Sequence, residues 1–147
     1  MQKLQLPDYG FRTRQGRGKQ WIFDEFRRKW VVLTPEEWVR QHFLKYLVAV
    51  KKVPPALMAV EKQLSVNNLS QRFDLLVYDR QGNPWMIGEF KAPEVAINQG
   101  VFDQAVRYNA VVKAPYFVIS NGLSHYVCRI DFVTRRVDYL EAVPEFG

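Results

Sequence analysis

Arg72-Phe73-Asp74-Leu75-Leu76-Val77-Tyr78 and, after a turn, Met86-Ile87-Gly88-Glu89-Phe90-Lys91 are the stretches on which the fold turns. Both are apolar runs rich in β-branched and aromatic residues. The Asp79-Arg80-Gln81-Gly82-Asn83-Pro84 segment between them concentrates turn-forming residues, so the pair predicts an antiparallel hairpin. Alternation along a strand puts Glu89 and Lys91 on one face. A register that pairs the start of the first strand with the end of the second brings Asp74 to them. Charges set into apolar strands are costly unless paired or holding a cation, and two carboxylates repel each other without one. An edge salt-bridge cluster is the simplest account of such a trio. The chemical account is a site of oxygen ligands for Mg²⁺ or Mn²⁺, with the Phe90 carbonyl as a third protein oxygen. An ion held there polarises a phosphodiester and acidifies a bound water, and Lys91 orients that water or steadies developing negative charge.

The rest of the chain builds outward from this hairpin. Upstream, residues 21–26 and 29–33 read as a further β-hairpin. Thr34-Pro35-Glu36-Glu37 then carries a cap, a proline suited to the first helical turn and a glutamate completing a capping box. Val39, Phe43, Tyr46, Leu47 and Val50 follow at helical spacing, up to the stop at Lys51-Lys52-Val53-Pro54-Pro55. Residues 58–66 predict a strand, residues 98–113 a second helix, and Tyr116-Phe117-Val118-Ile119-Ser120 a strand covered on both faces. Strands over 125–130 and 137–140 close the order. The expected class is α/β: a mixed central sheet flanked by helices, with an extra N-terminal β-hairpin.

At 147 residues and 17.3 kDa the chain is expected to form one domain over residues 21–147. Its 48% apolar content argues against disorder. A lone cysteine, Cys128, rules out an internal disulfide and fits a reducing compartment. The absence of a long apolar run or a signal-like start gives the expectation of a soluble, cytoplasmic protein with no membrane partner. Basicity is local: residues 1–30 hold eight Lys and Arg against three acids, +5 of the chain's +6. Arg12, Arg14, Arg17 and Lys19, interspersed with Gly16 and Gly18, read as part of a basic, partly mobile arm over residues 1–20. Such an arm neutralises phosphates without reading bases, or is simply a solvated tail. Glu36 and Arg40 read as a surface helix pair, as do Asp103 and Arg107. Glu61 reads as exposed, and Cys128 as a buried apolar group. His42 and His125 have no zinc-like spacing. The four tryptophans read as core or interface, since none sits in a basic-aromatic run.

The Asp74, Glu89-x-Lys91 set, with its interval of 15 residues, resembles the site of the PD-(D/E)XK nuclease superfamily, with Phe73 where the superfamily's name has Pro. Four segments narrow the likeness: Arg72 to Asp79, Glu89-Phe90-Lys91-Ala92-Pro93, Phe102 to Asn109 and Ala114 to Gly122. In this order they resemble the N-terminal nuclease domain of type I restriction enzyme R subunits. The resemblance implies a restriction-endonuclease-like αβββαβ core, Asp74 and Glu89 as metal ligands, and Lys91 as the catalytic lysine. It further implies Gln104 beside the site, Tyr108 one turn on in support, and Glu37 in the region where the superfamily often supplies another metal-facing acid. The implied activity is Mg²⁺-dependent (or Mn²⁺-dependent) endonucleolytic hydrolysis of DNA, before RNA, of the restriction or repair kind. The alternative is a non-cleaving nucleic-acid-binding or docking module with a nuclease fold, acting as a subunit of a larger DNA-processing assembly. Either way the resemblance implies a homodimer or a partner subunit. No Gly-x-x-x-x-Gly-Lys-Ser/Thr segment is present, which argues against ATP-driven translocation by these residues.

Overall fold

A computed structural model describes the backbone of residues 1–147, and all side chains but those of Val66, Tyr108 and Ala110. The chain runs β1 (Thr13–Gly16), β2 (Lys19–Asp24), β3 (Lys29–Val32), α1 (Pro35–Ala49), β4 (Met58–Val66), β5 (Leu69–Tyr78), β6 (Pro84–Phe90), α2 (Gln99–Tyr108), β7 (Tyr116–Ser120), β8 (His125–Asp131) and β9 (Arg136–Leu140). The first three strands form an antiparallel meander. The other six form one mixed sheet in sequence order, antiparallel throughout except for the parallel β6–β7 pair. That exception follows from α2, whose crossover returns the chain to the same edge in the same direction.

β7 shows why the sheet is two-sided. Val118 packs with Val39, Phe43, Leu44 and Leu47 of α1, while Phe117 and Ile119 pack with Phe102 of α2. In α1 the buried stripe includes Leu44, and Val50 is exposed. Thr34 caps this helix, its hydroxyl accepting from the Glu37 N–H at 3.0 Å, but the reciprocal half of the capping box is not made. The Glu37 carboxylate accepts instead from Arg27, Arg40 and Gln41. α2 ends at Tyr108, short of the expected Lys113, and passes into a 3₁₀ turn over Asn109–Val111.

The segment read as a mobile arm is built into the fold. Leu4 is buried in the core, Gln5 donates its N–H to the Gly122 carbonyl at 2.7 Å, and Trp38 donates to the Gln2 carbonyl. Residues 13–16 pair with 19–22 through a two-residue turn in which Arg17 and Gly18 both have positive φ. Strand pairing therefore supplies the order that the glycine-rich composition does not advertise.

Candidate active site

The β5–β6 register pairs Leu75 with Gly88 and Leu76 with Ile87, which sets Asp74 across from Glu89 at the open end of the hairpin. The two are in contact. The Glu89 carboxyl faces both the side chain and the backbone N–H of Asp74. The Asp74 carboxylate accepts from the Phe90 N–H at 2.8 Å and from the Arg40 guanidinium at 3.2 Å. Burial, then the Asp74 charge, push the Glu89 carboxyl up to about 8, with Lys91 opposing. At neutral pH the Glu89 carboxyl therefore tends to keep its proton.

Asp74 lies where strand alternation breaks. Leu75 belongs to the α1-side cluster and Phe73 to the α2-side cluster, although both are odd positions. Across on β4, Val60 pairs with Leu75 and Lys62 with Phe73, while Glu61 between them takes a left-handed φ of 54°. This local irregularity lets Asp74 meet Arg40 of α1 while still facing Glu89.

Lys91 follows the end of β6, its N–H anchored on the Ser120 carbonyl at 2.9 Å. Among the described residues no carboxylate lies within ion-pairing distance of its ammonium, yet its charge acts on both Glu89 and Glu36. Glu89, Lys91, Gln104, Val101, Ala105, Ile119 and Arg72 line a groove of about 310 Å³ between the sheet and α2. Gln104 thus shares a surface with Glu89 and Lys91, while Asp74 lies outside the groove lining. The Tyr108 expectation falls on a side chain outside those described.

Glu37 is placed elsewhere. Its carboxylate accepts from Arg27 at 2.7 Å, Arg40 at 2.8 Å and Gln41 at 3.1 Å, all within a buried network. The acid of α1 that senses the site is Glu36, raised by burial and then by the Asp74 charge, with Arg40 and Lys91 opposing. Arg40 is not a surface partner of Glu36. It is buried, and contacts Glu36, Glu37, Glu61 and Asp74. Nor is Glu61 simply exposed: burial raises its carboxyl, but Arg40, Arg72 and Arg27 hold it below the usual range. The overlooked signal was phase, since Arg40 shares an i, i+4, i+7 stripe with the buried Leu44 and Leu47. Arg27 carries the network on to Asp24, which caps the β2–β3 turn through the Phe26 and Arg27 N–H groups.

The histidines have structural partners. The Ser120 hydroxyl lies 2.6 Å from Nδ1 of His125, whose Nε2 lies 2.9 Å from the Gln5 carbonyl, and His42 Nδ1 lies 2.9 Å from the Trp38 carbonyl. Cys128 is buried, with its thiol pushed up to about 12.

Among the described residues no three or more His, Cys, Asp or Glu side chains cluster as a metal site. The fit to a divalent ion rests on donor chemistry: two opposed carboxyl groups, once both are ionised, supply hard oxygen ligands for an ion that retains several waters. Asp74 and Glu89 fit Mg²⁺ or Mn²⁺ on that ground.

The sequence profile of the family described as "Type I restriction enzyme R protein N terminus (HSDR_N)" matches residues 35–144. The chain belongs to that family. The R protein N-terminal match begins at α1, leaving the meander outside it. No curated protein matched the sequence. Among solved structures, a fragment assigned to the HsdR subunit of a type I restriction enzyme from Vibrio vulnificus YJ016 is similar in fold, with a TM-score of 0.50 and 19% identity over 78% of this chain. The R protein N-terminal chain spans about a quarter of that fragment, the match covering 24% of its length. No helix among the described residues is long and apolar enough to cross a membrane.

Proposed function

We propose that this chain is a nuclease module that hydrolyses DNA phosphodiesters with a divalent ion, Mg²⁺ or Mn²⁺, on Asp74, Glu89 and the Phe90 carbonyl. The observation that carries the reading is geometric: the β5–β6 register opposes Asp74 and Glu89, and Glu89, Lys91 and Gln104 line one groove. The α1–β4–β5–β6–α2–β7 run is read as the αβββαβ core of restriction-endonuclease-like proteins, and family membership supports that reading. When bound, the ion would polarise the phosphodiester and acidify a water. Lys91, two residues after Glu89, would orient the attacking water and offset charge growing on the phosphate. Gln104, on the opposite wall of the groove, would hydrogen-bond a non-bridging phosphate oxygen. Arg40 holds Asp74 from behind, so that its carboxylate faces Glu89. Glu36 replaces Glu37 as the additional acid near the site. By the same reading the module works in the cytoplasm, as a homodimer or beside a partner subunit.

A non-cleaving nucleic-acid-binding role is the second reading. It is favoured by one observation: Asp74 and Glu89 already satisfy each other through a proton and Arg40. A Mg²⁺ and Mn²⁺ titration against plasmid, single-stranded DNA and RNA separates the two. The nuclease reading expects metal-dependent cleavage, with DNA preferred, that falls by at least about a hundredfold in Asp74→Ala and Lys91→Ala. Undiminished cleavage in both variants, or none by the parent chain with either metal, overturns it.

A further inference from the structure

The outward face of the N-terminal meander gathers arginine and aromatic side chains that are scattered in sequence. Strand register sets Arg14 beside Trp21 and Phe23 beside Trp30, and the Phe23 N–H donates to the Arg12 carbonyl. The opposite face carries Ile22 and Asp24, both fully buried, so Trp21, Phe23 and Trp30 point away from the core and are half-exposed. The Arg14 guanidinium carbon lies 4.3 Å over the Trp30 ring, and that of Arg12 lies 4.7 Å over Phe23 and 5.5 Å over Trp30. Trp21 is steadied by its Nε1–H donating to the Gly16 carbonyl at 2.9 Å.

Among the described residues no carboxylate lies within 4.0 Å of the charged groups of Arg12, Arg14, Arg17 or Lys19. The two acids of the meander are engaged elsewhere, Asp24 with Arg27 and Glu25 with Lys45. Between the arginines and the indoles runs a groove of about 430 Å³, lined by Arg14, Gln15, Gly16, Arg17, Trp21 and Trp30. That volume falls in the range of small-ligand sites.

We propose that this groove is a single-strand nucleic-acid site, in which a base stacks on Trp30 and Trp21 while Arg12, Arg14 and Arg17 contact the flanking phosphates. The face has the two components that binding of single strands combines: uncompensated positive charge along the backbone path and aromatic planes for unpaired bases. A duplex would use the charge but keep its bases from the indoles. Arginine laid over an aromatic ring retains its outward N–H edge for phosphate oxygens. The proposal rests on the chain acting on nucleic acid, but not on its cutting it. The groove lies on the meander, which precedes the family match, and includes none of Asp74, Glu89 and Lys91.

The test is fluorescence anisotropy of 5′-labelled dT20 and of a labelled 20-base-pair duplex with the full chain in EDTA, together with quenching of tryptophan emission by unlabelled dT20. Expected are preference for dT20, quenching on binding, and about tenfold weaker binding by Trp30→Ala, restored in Trp30→Phe. An Arg14→Ala/Arg17→Ala double variant should lower the salt slope by about 1.4, two phosphates' worth for a single strand. Because these arginines are exposed, this arm remains readable if Trp30→Ala fails to fold. Equal binding by the parent and the double variant, duplex preference without quenching, or no binding to either probe overturns the site. Loss of cleavage in Asp74→Ala with dT20 binding intact bears on the nuclease reading alone, whereas unaltered cleavage with unaltered dT20 binding in the Arg14/Arg17 variant sinks the groove alone.

Discussion

At Glu89 the fold retains a proton that an ordinary carboxylate would have lost by neutral pH, because burial and the Asp74 charge oppose ionisation. The sign of the consequence is fixed. The unfolded chain releases this proton near pH 4.5 and the metal-free folded chain near 8, so the unfolded state binds fewer protons across that window. Stability that is full below the lower value is therefore lost as pH rises towards the upper one. Urea midpoints in EDTA should fall from pH 5 to 8 by more in the parent than in Glu89→Gln, which cannot titrate; parallel slopes would contradict the placement. Arg40 has the converse role of a buried cation among acids. Among the described residues, Arg40→Ala removes the one cation that contacts Asp74 and one of the two that contact Glu37, and should cost about 3 kcal/mol in urea unfolding. A loss below about 1 kcal/mol would mean that the network is solvated.

At the scale of elements, Gly122 fixes how the N-terminal segment meets the sheet. Its φ is +84°, and an added Cβ would lie 2.7 Å from Leu4 Cδ2 and 3.0 Å from Val39 Cγ2. Gly122→Ala should therefore destabilise by about 2 kcal/mol, read as a lower denaturation midpoint, through backbone strain and collision with Leu4; an unchanged midpoint would show that Leu4 moves aside freely. Contacts of this kind are long-range and leave no local trace in sequence, which is why residues 1–20 read as an arm. The elements themselves were legible where local chemistry governs them. Pro35 and Thr34 fix the start of α1, the Gly82-Asn83-Pro84 turn fixes the β5–β6 hairpin, and the apolar run Tyr116–Ser120 marks the strand covered on both faces. Alternation along β6 also placed Glu89 and Lys91 together. It could not show that Glu36, rather than Glu37, senses the acid pair. A single-residue change of helical phase decides that, and the capping box gave Glu37 a use it does not take up.

Across the whole molecule, charge is arranged in two ways. The basic residues on the outer face of the meander stand without acidic partners, whereas those facing inward alternate with acids along Asp24, Arg27, Glu37, Arg40 and Asp74. This alternating row crosses from the meander to the acid pair and joins a segment outside the family match to the site within it. Burial makes such a row expensive to break at any one point, so the two sheets are coupled by electrostatics as well as by packing. The tryptophans followed the same division: no basic-aromatic run appears in the sequence, and strand pairing creates one in space. The proposed nuclease chemistry requires Asp74 and Glu89 to hold one divalent ion together. Mn²⁺ binding to the full chain, followed by electron paramagnetic resonance of the free ion at pH 7 and pH 8.5, tests it most directly. The account predicts one site per chain, tighter at the higher pH because binding displaces the Glu89 proton, and lost in Asp74→Ala. Equal binding by the parent and Asp74→Ala, or no binding by the parent at either pH, would contradict it.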